Sequence, residues 1–227
     1  MESLSRDQVR RLDRCAIETV GVPGVILMEN AGRGAADAVE EFLGGAAGKS
    51  VAIVAGAGNN GGDGFVIARH LQMRGSRTVT FLIAPEDKIS GDARTHLDIL
   101  RKLGHDVRPL AGPGLEWLAE MLKGFDLLVD AVGGTGIRGE LRGDLAAAVE
   151  QINAAGRPVV AVDIPTGLDC DTGQVHGPAV RAAMTVTFVA RKKGFDAEGA
   201  SDYTGRVRVA DIGVPPERVR RIAARGS

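Results

Sequence analysis

The spacing of apolar residues changes at residue 50. Before it, apolar positions recur every three or four residues: Val9, Leu12, Ala16 and Ile17, then Leu27, Ala31, Ala35, Val39 and Phe42. That spacing lines one face of a helix. The first helix opens on a capping box, Ser5-Arg6-Asp7-Gln8, and breaks at Gly21-Val22-Pro23-Gly24. A second is expected over about 25–42. After residue 50, short apolar runs take over at 51–55, 78–83, 127–131 and 159–162, with a weaker one at 106–110. Runs at 184–189 and 206–209 extend the series. Helix-like stretches at 64–74, 91–103, 114–122 and 145–155 separate them. Short apolar runs alternating with helices predict an α/β fold of three layers, with a mostly parallel central sheet and a helical extension before it.

No linker or internal repeat interrupts the pattern, so the chain reads as a single domain over 1–227. Its parts are N-terminal helices (1–48), an α/β core (49–215) and a C-terminal tail (216–227). Gly is abundant, at 32 of 227 residues, and aromatics make up only 4%, which suits a core with many tight turns better than a β-sandwich. The net charge is −1 with both signs interspersed, so no bulk attraction to nucleic acid or membrane is expected. The arginine-rich stretch at 218–225 reads as a solvated helix end. Cys15 and Cys170 lack metal or redox spacing and read as free thiols in a reducing compartment. A charged N-terminus without an apolar segment, and no long apolar window, point to a cytoplasmic protein.

Ligands of parallel sheets bind beyond the C-terminal strand ends. Three polar, glycine-rich loops follow three of these strands: GAGNNGGDG (56–64), DAVGGTGIRG (130–139) and DIPTGLDCDTG (163–173). In the first, a strand, a glycine turn and a helix start make an anion site, with the backbone N–H groups of 61–64 free to hold a phosphate or diphosphate. The Gly-Lys-Ser/Thr of a phosphate-binding P-loop is missing. So is the acid that ordinary dinucleotide folds place at the end of the second strand, because here that strand runs into Leu82-Ile83-Ala84-Pro85. Hydride transfer is therefore poorly supported.

Asn60, Asp130 and Thr166 offer one oxygen-bearing side chain from each loop, a donor set that suits a hard cation. Equally, Asn60 and Thr166 can satisfy local turn backbone. Asp163 closes an apolar strand at the converging rim, where a partly desolvated carboxylate suits general acid–base work. The alternative is a turn cap. Asp169 and Asp171 read as turn formers. Asp63 either caps the helix beginning there or binds a ribose hydroxyl. His70, His96 and His105 read as packing or surface residues, and no Ser or Cys sits in a nucleophile elbow.

Five ordered segments then carry a resemblance: Leu27-Met28-Glu29-Asn30-Ala31-Gly32, GAGNNGGDGFVIARHL (56–71), DAVGGTGIRGELRG (130–143), VDIPTGLDCDTG (162–173) and VRVADIGVP (207–215). In this order they resemble the NAD(P)H-hydrate epimerases, the YjeF N-terminal domain family, over nearly the whole chain. The resemblance implies a Rossmann-like fold, usually homodimeric. It implies interconversion of the R and S forms of hydrated NADH and NADPH (NAD(P)HX) at nicotinamide C6, with an ATP- or ADP-dependent dehydratase as the functional partner. Carried over by position, Asn59, Asn60, Gly61, Gly62 and Asp63 bind substrate. So do Gly134, Thr135, Gly136, Ile137, Arg138, Gly139 and Glu140. Asp163 contacts the substrate as the acid–base group. Asn60, Asp130 and Thr166 bind one potassium ion, with threonine at 166 where relatives often have serine. Gly133 replaces a bulkier residue of some members. The two N-terminal helices, with Ala31, Gly32 and Ala35, are candidates for the dimer interface.

Two other readings remain. One is a non-catalytic dimerising module, which retention of Asn60, Asp130, Asp163 and Thr166 disfavours. The other is the epimerase half of a bifunctional epimerase–dehydratase. The second half would need many residues after Pro215, so this chain is expected to lack dehydration activity.

Overall fold

The computed structural model describes residues 3–215. The arginine-rich stretch and the rest of the tail lie outside them. Seven strands form one sheet: β1 (Ser50–Ala55), β2 (Arg77–Leu82), β3 (Asp106–Pro109), β4 (Leu127–Ala131), β5 (Val159–Val162), β6 (Met184–Phe188) and β7 (Arg206–Ala210). They lie in the order β3-β2-β1-β4-β5-β6-β7, and every neighbouring pair is parallel. The order reverses between β1 and β4, and that switch point opens a crevice at their C-terminal ends.

Alternate residues of each central strand feed two cores. Val51, Ile53 and Ala55 of β1 face α2 (Gly24–Leu43), α3 (Asn59–Met73) and α4 (Gly91–Lys102). Ala52 and Val54 face α5 (Leu118–Leu122) and α6 (Gly143–Ala154). A short 3₁₀ segment, Gly112–Trp117, precedes α5, so the helix expected over 114–122 splits in two. The strands read as continuous apolar runs because helices cover both faces.

Helix α3 begins at Asn59, five residues earlier than the apolar pattern predicts. Glycine costs about 1 kcal/mol in a helix interior relative to Ala, and three glycines sit in these first two turns. Close packing requires them. A Cβ on Gly61 would overlap the Gly56 carbonyl oxygen, one on Gly62 would press into Met28 of α2, and one on Gly64 would stand 2.7 Å from the Ala131 Cβ of β4. The glycine loop is thus the helix start itself, driven into the switch point.

The N-terminal helices are not a free extension. Helix α2 is one of the sheet-covering helices. Ala31, Gly32 and Ala35 are buried within this chain, with Val66 of α3 directly against Gly32. That small-residue face is spent inside the fold and is not available to a second copy. Ahead of it, α1 (Arg6–Arg14) carries the expected capping box and runs on as a π-helical turn, Cys15–Val20, ending at Gly21 with φ +83°. Leu4 inserts as a one-residue parallel bridge beside Lys192, its N–H donating to Arg191 O (2.8 Å) and its carbonyl accepting from Lys193 N (2.9 Å). A short helix, α7 (Ser201–Thr204), leads into β7.

Candidate functional site

A cavity of about 860 Å³ opens at the C-terminal ends of the strands. Its walls include Asn59, Asn60 and Asp63 of α3, Gly133–Ile137 after β4, Asp163 after β5, and Lys192 after β6. Residues of α1 and α2 close one side. Of the residues picked out in the sequence, Asn59, Asn60, Asp63, Gly134, Thr135, Gly136, Ile137 and Asp163 meet there. Asp130 and Thr166 lie fully buried and are not among the wall residues. Gly61 and Gly62 serve helix packing, as above. Arg138, Gly139 and Glu140 are exposed and lie outside the cavity wall, with Arg138 3.9 Å from Asp7.

Asp163 has φ +66°, a conformation rare for a side chain-bearing residue. The Ile164 N–H donates to the Val162 carbonyl at 2.8 Å, so Asp163 is the centre of a three-residue γ-turn. Val189 repeats the device one strand over: φ +68°, with Ala190 N donating to Phe188 O at 2.8 Å. Such strained turns persist only where the surroundings hold them, and they cluster at ligand sites. The Asp163 carboxylate does not cap its own turn. Oδ2 accepts from Thr135 N at 2.9 Å, and Oδ1 stands 3.0 Å from Lys192 Nζ. Gly134 makes this possible, because a Cβ there would come 2.7 Å from Asp163 Oδ2 and 3.3 Å from Asn60 Oδ1.

Lys192 is the residue the sequence reading missed. It is fully buried, and its ammonium also donates to Thr187 Oγ1 (2.8 Å) and Phe188 O (3.1 Å). A signal was present: Lys192 follows a strand end, and the rule that loops after strands converge applies to β6 as it does to β5. The N-terminal arm was missed as well. Arg6 is buried and ties the N-terminal arm to two of the loops, donating to Ile137 O (2.6 Å) and Asp169 Oδ2 (2.8 Å), while its backbone N–H donates to Asp171 Oδ1 (2.7 Å). Asp169 and Asp171 are thus more than turn formers. Asp13 of α1 lines the cavity and is exposed to it, and desolvation by the surrounding wall, followed by the Asp163 charge, pushes its carboxyl up to about 6. Asp63 is 8% exposed, does not cap its helix, and its carboxyl makes no hydrogen bond or ion pair among the described residues. Burial, then Asp163 and Asp13, push its carboxyl well above the usual range.

Beneath the cavity, Asp130 Oδ2 accepts from Thr166 N (2.8 Å), while Oδ1 accepts from Thr166 Oγ1 (2.7 Å) and Val132 N (3.2 Å). The Thr166 hydroxyl in turn accepts from Gly133 N at 3.0 Å. Thr166 therefore joins two loops instead of satisfying its own turn. Burial pushes Asp130 up to about 6 despite these bonds. Asn60 is buried, and neither of its side-chain polar atoms has a hydrogen-bond partner among the described residues. Buried amides in folded proteins are nearly always paired, so a water molecule or an ion fits beside this one. Among the described residues, no three His, Cys, Asp or Glu side chains gather to hold a metal. Asn60, Asp130 and Thr166 are instead hard oxygen donors of the kind alkali and alkaline-earth cations take. No helix among the described residues is long and apolar enough to cross a membrane.

Open parallel α/β sheets bind their ligands at such a switch point, beyond the carboxyl ends of the strands, and here a glycine-rich helix start and the Asp163–Lys192 pair line it. Residues 24–194 match the model of the YjeF-related protein N-terminus family, and the chain belongs to that family. The chain is 43% identical over 216 residues to the NAD(P)H-hydrate epimerase of Rhodopirellula baltica, covering 95% of this chain and 86% of that protein. It is 41% identical to the NAD(P)H-hydrate epimerase of Pirellula staleyi, covering 96% of each. It is 44% identical to the bifunctional NAD(P)H-hydrate repair enzyme Nnr of Moorella thermoacetica, where it covers 93% of this chain but spans only 40% of the relative's length. Among solved structures, yeast ynu0 (YNL200c) superposes with a TM-score of 0.81 at 26% identity, covering 98% of this chain and 93% of that one.

Proposed function

We propose that this chain is an NAD(P)H-hydrate epimerase, interconverting the R and S forms of hydrated NADH and NADPH at nicotinamide C6. The names of the Rhodopirellula and Pirellula relatives support the activity. The observation that carries the chemistry is Asp163, held in a γ-turn at the cavity wall with one oxygen on Lys192 and the other on a backbone N–H. Epimerisation breaks and remakes either the C6–O bond or the ring C6–N bond. Both routes move a proton to or from oxygen or nitrogen, which one positioned carboxyl can do. Neither needs a nucleophile or a redox group.

The amide end of α3 is the place for the diphosphate, since free N–H groups and the helix dipole favour negative charge there. Asn59, Asn60 and Gly134–Ile137 then line the path to Asp163. Potassium belongs with Asn60, Asp130 and Thr166. The Asn60 amide and the buried Asp130 carboxylate, which no cationic side chain among the described residues neutralises, fit a cation. The ion would supply fixed positive charge that keeps the three loops together. The bifunctional relatives, in which this domain is under half of a repair enzyme, support a dehydratase as the functional partner. A cytoplasmic homodimer is part of the same reading, and light scattering tests the dimer.

The test is a chiral assay of R-NAD(P)HX consumption with and without potassium. The wild-type chain converts R to S, and Asp163→Asn slows the conversion by roughly 10²–10⁴-fold, the usual contribution of a positioned acid–base group. An inactive wild type overturns the epimerase reading. Unchanged turnover in Asp163→Asn overturns the role of Asp163 alone.

A further inference from the structure

We propose that Asp63 is a second catalytic carboxyl, which gives a proton to the C6 oxygen while Asp163 receives one. The proposal rests on the epimerase reading and deepens it. It begins from an asymmetry between two carboxyls that share one cavity. Each oxygen of Asp163 is engaged, one by the Lys192 ammonium and one by the Thr135 N–H. Asp63 is buried with 8% exposure and lines the same cavity, and its carboxyl has no hydrogen bond or ion pair among the described residues. A buried ionised carboxylate without a partner is costly, so such a group holds its proton.

Charge balance points the same way. Asp13, Asp63 and Asp163 share this end of the cavity, and among the described residues lining it Lys192 is the buried cation. Arg10 and Lys88 also line the cavity but are exposed, and the carboxyls of Asp92 and Asp144, which line it as well, are part-exposed. One buried ammonium neutralises one carboxylate, and its 3.0 Å contact assigns it to Asp163. The remaining carboxyls repel that charge and each other. Environments that drive two neighbouring carboxyls to opposite protonation states define an acid and a base.

The step is balanced through the water-loss route. The C6 hydroxyl takes the Asp63 proton, and the C6–O bond breaks with its electron pair leaving on water. The N1 lone pair fills the gap as a C6=N1 iminium. Water then adds to the other face of C6, forming the new C–O bond, and gives its extra proton to the Asp163 carboxylate. The substrate ends with its composition unchanged and one proton has moved from Asp63 to Asp163. The reverse reaction exchanges the roles, and solvent resets the pair.

The experiment compares wild type, Asp63→Asn and Asp163→Asn in the epimer assay across pH, with NADP⁺ binding measured in parallel. The amide matches a protonated carboxyl in shape, so the fold and NADP⁺ binding are retained. Expected for Asp63→Asn is a kcat at least ~100-fold lower with KM within about threefold. Wild type shows a bell-shaped profile, and Asp63→Asn loses its alkaline limb whereas Asp163→Asn loses the acidic one. A kcat within about tenfold of wild type, a KM that rises in proportion to the loss, or an alkaline limb that stays in place overturns the proposal. An inactive wild type overturns the epimerase reading, whatever the variants do.

Discussion

Lys192 Nζ lies 3.0 Å from Asp163 Oδ1, the lysine fully buried and the aspartate side chain 13% exposed. Each residue sits just beyond the end of one of two adjacent strands, and each stands next to or within a γ-turn. Removing one partner of a buried ion pair leaves the other charge uncompensated, at a cost of about 3–5 kcal/mol. Lys192→Met is therefore expected to destabilise the fold by that order in urea titration and to reduce epimerisation at least as much as Asp163→Asn. A Lys192→Met protein with wild-type stability would show that the pair is not held in solution.

Potassium has a readout independent of turnover. A ligand that binds only the folded state raises the melting temperature with its concentration. Potassium chloride is expected to stabilise the wild type more than tetramethylammonium chloride at equal ionic strength. Asn60→Ala, which removes the unpartnered amide, should abolish the difference. An equal response of both proteins to both salts counts against the ion site.

Asp13 gives the fold a pH dependence whose sign is fixed. Its carboxyl titrates near 6 in the folded chain against an ordinary value of 3.8. Between those values the folded state binds more protons than the unfolded one, so stability falls as pH rises through that window. Asp13→Asn removes this component and flattens the change in melting temperature from about pH 4 to 6. If the variant and wild type keep parallel profiles, Asp13 is not held as described.

Cys170 sits in one of the three loops, yet it is 1% exposed, and burial pushes its thiol up to about 12. The thiolate is the reactive form. A thiol reagent at neutral pH should therefore label Cys15, which is part exposed, and reach Cys170 only after denaturation. Rapid native labelling of Cys170 would show that its loop opens.

Much of the fold was legible in the chain because parallel strands covered on both faces read as apolar runs, and helices as three- and four-residue spacing. That logic placed the strands to within a residue or two and the three loops at one rim. It placed the start of α3 too late, because glycines at 61, 62 and 64 read as loop when their function is close packing against Gly56, Met28 and Ala131. It also read α2 as an outlying helix, since a small-residue face does not say whether its partner lies in the same chain.

The sequence by itself determined the layered α/β architecture, the family, and the local candidates Asn60, Asp63, Asp130, Asp163 and Thr166. These sit in short segments whose chemistry is readable from neighbouring residues. Tertiary structure alone decided which charges meet. Arg6 reaches Asp169, Thr166 closes on Asp130, Asp13 looks onto Asp163, and Lys192 gives Asp163 its counter-charge. Those relationships span from about 30 to more than 160 residues of chain. They arise because one sheet gathers its strand ends at a single rim, and no local spacing can encode which buried carboxyl receives the Lys192 ammonium.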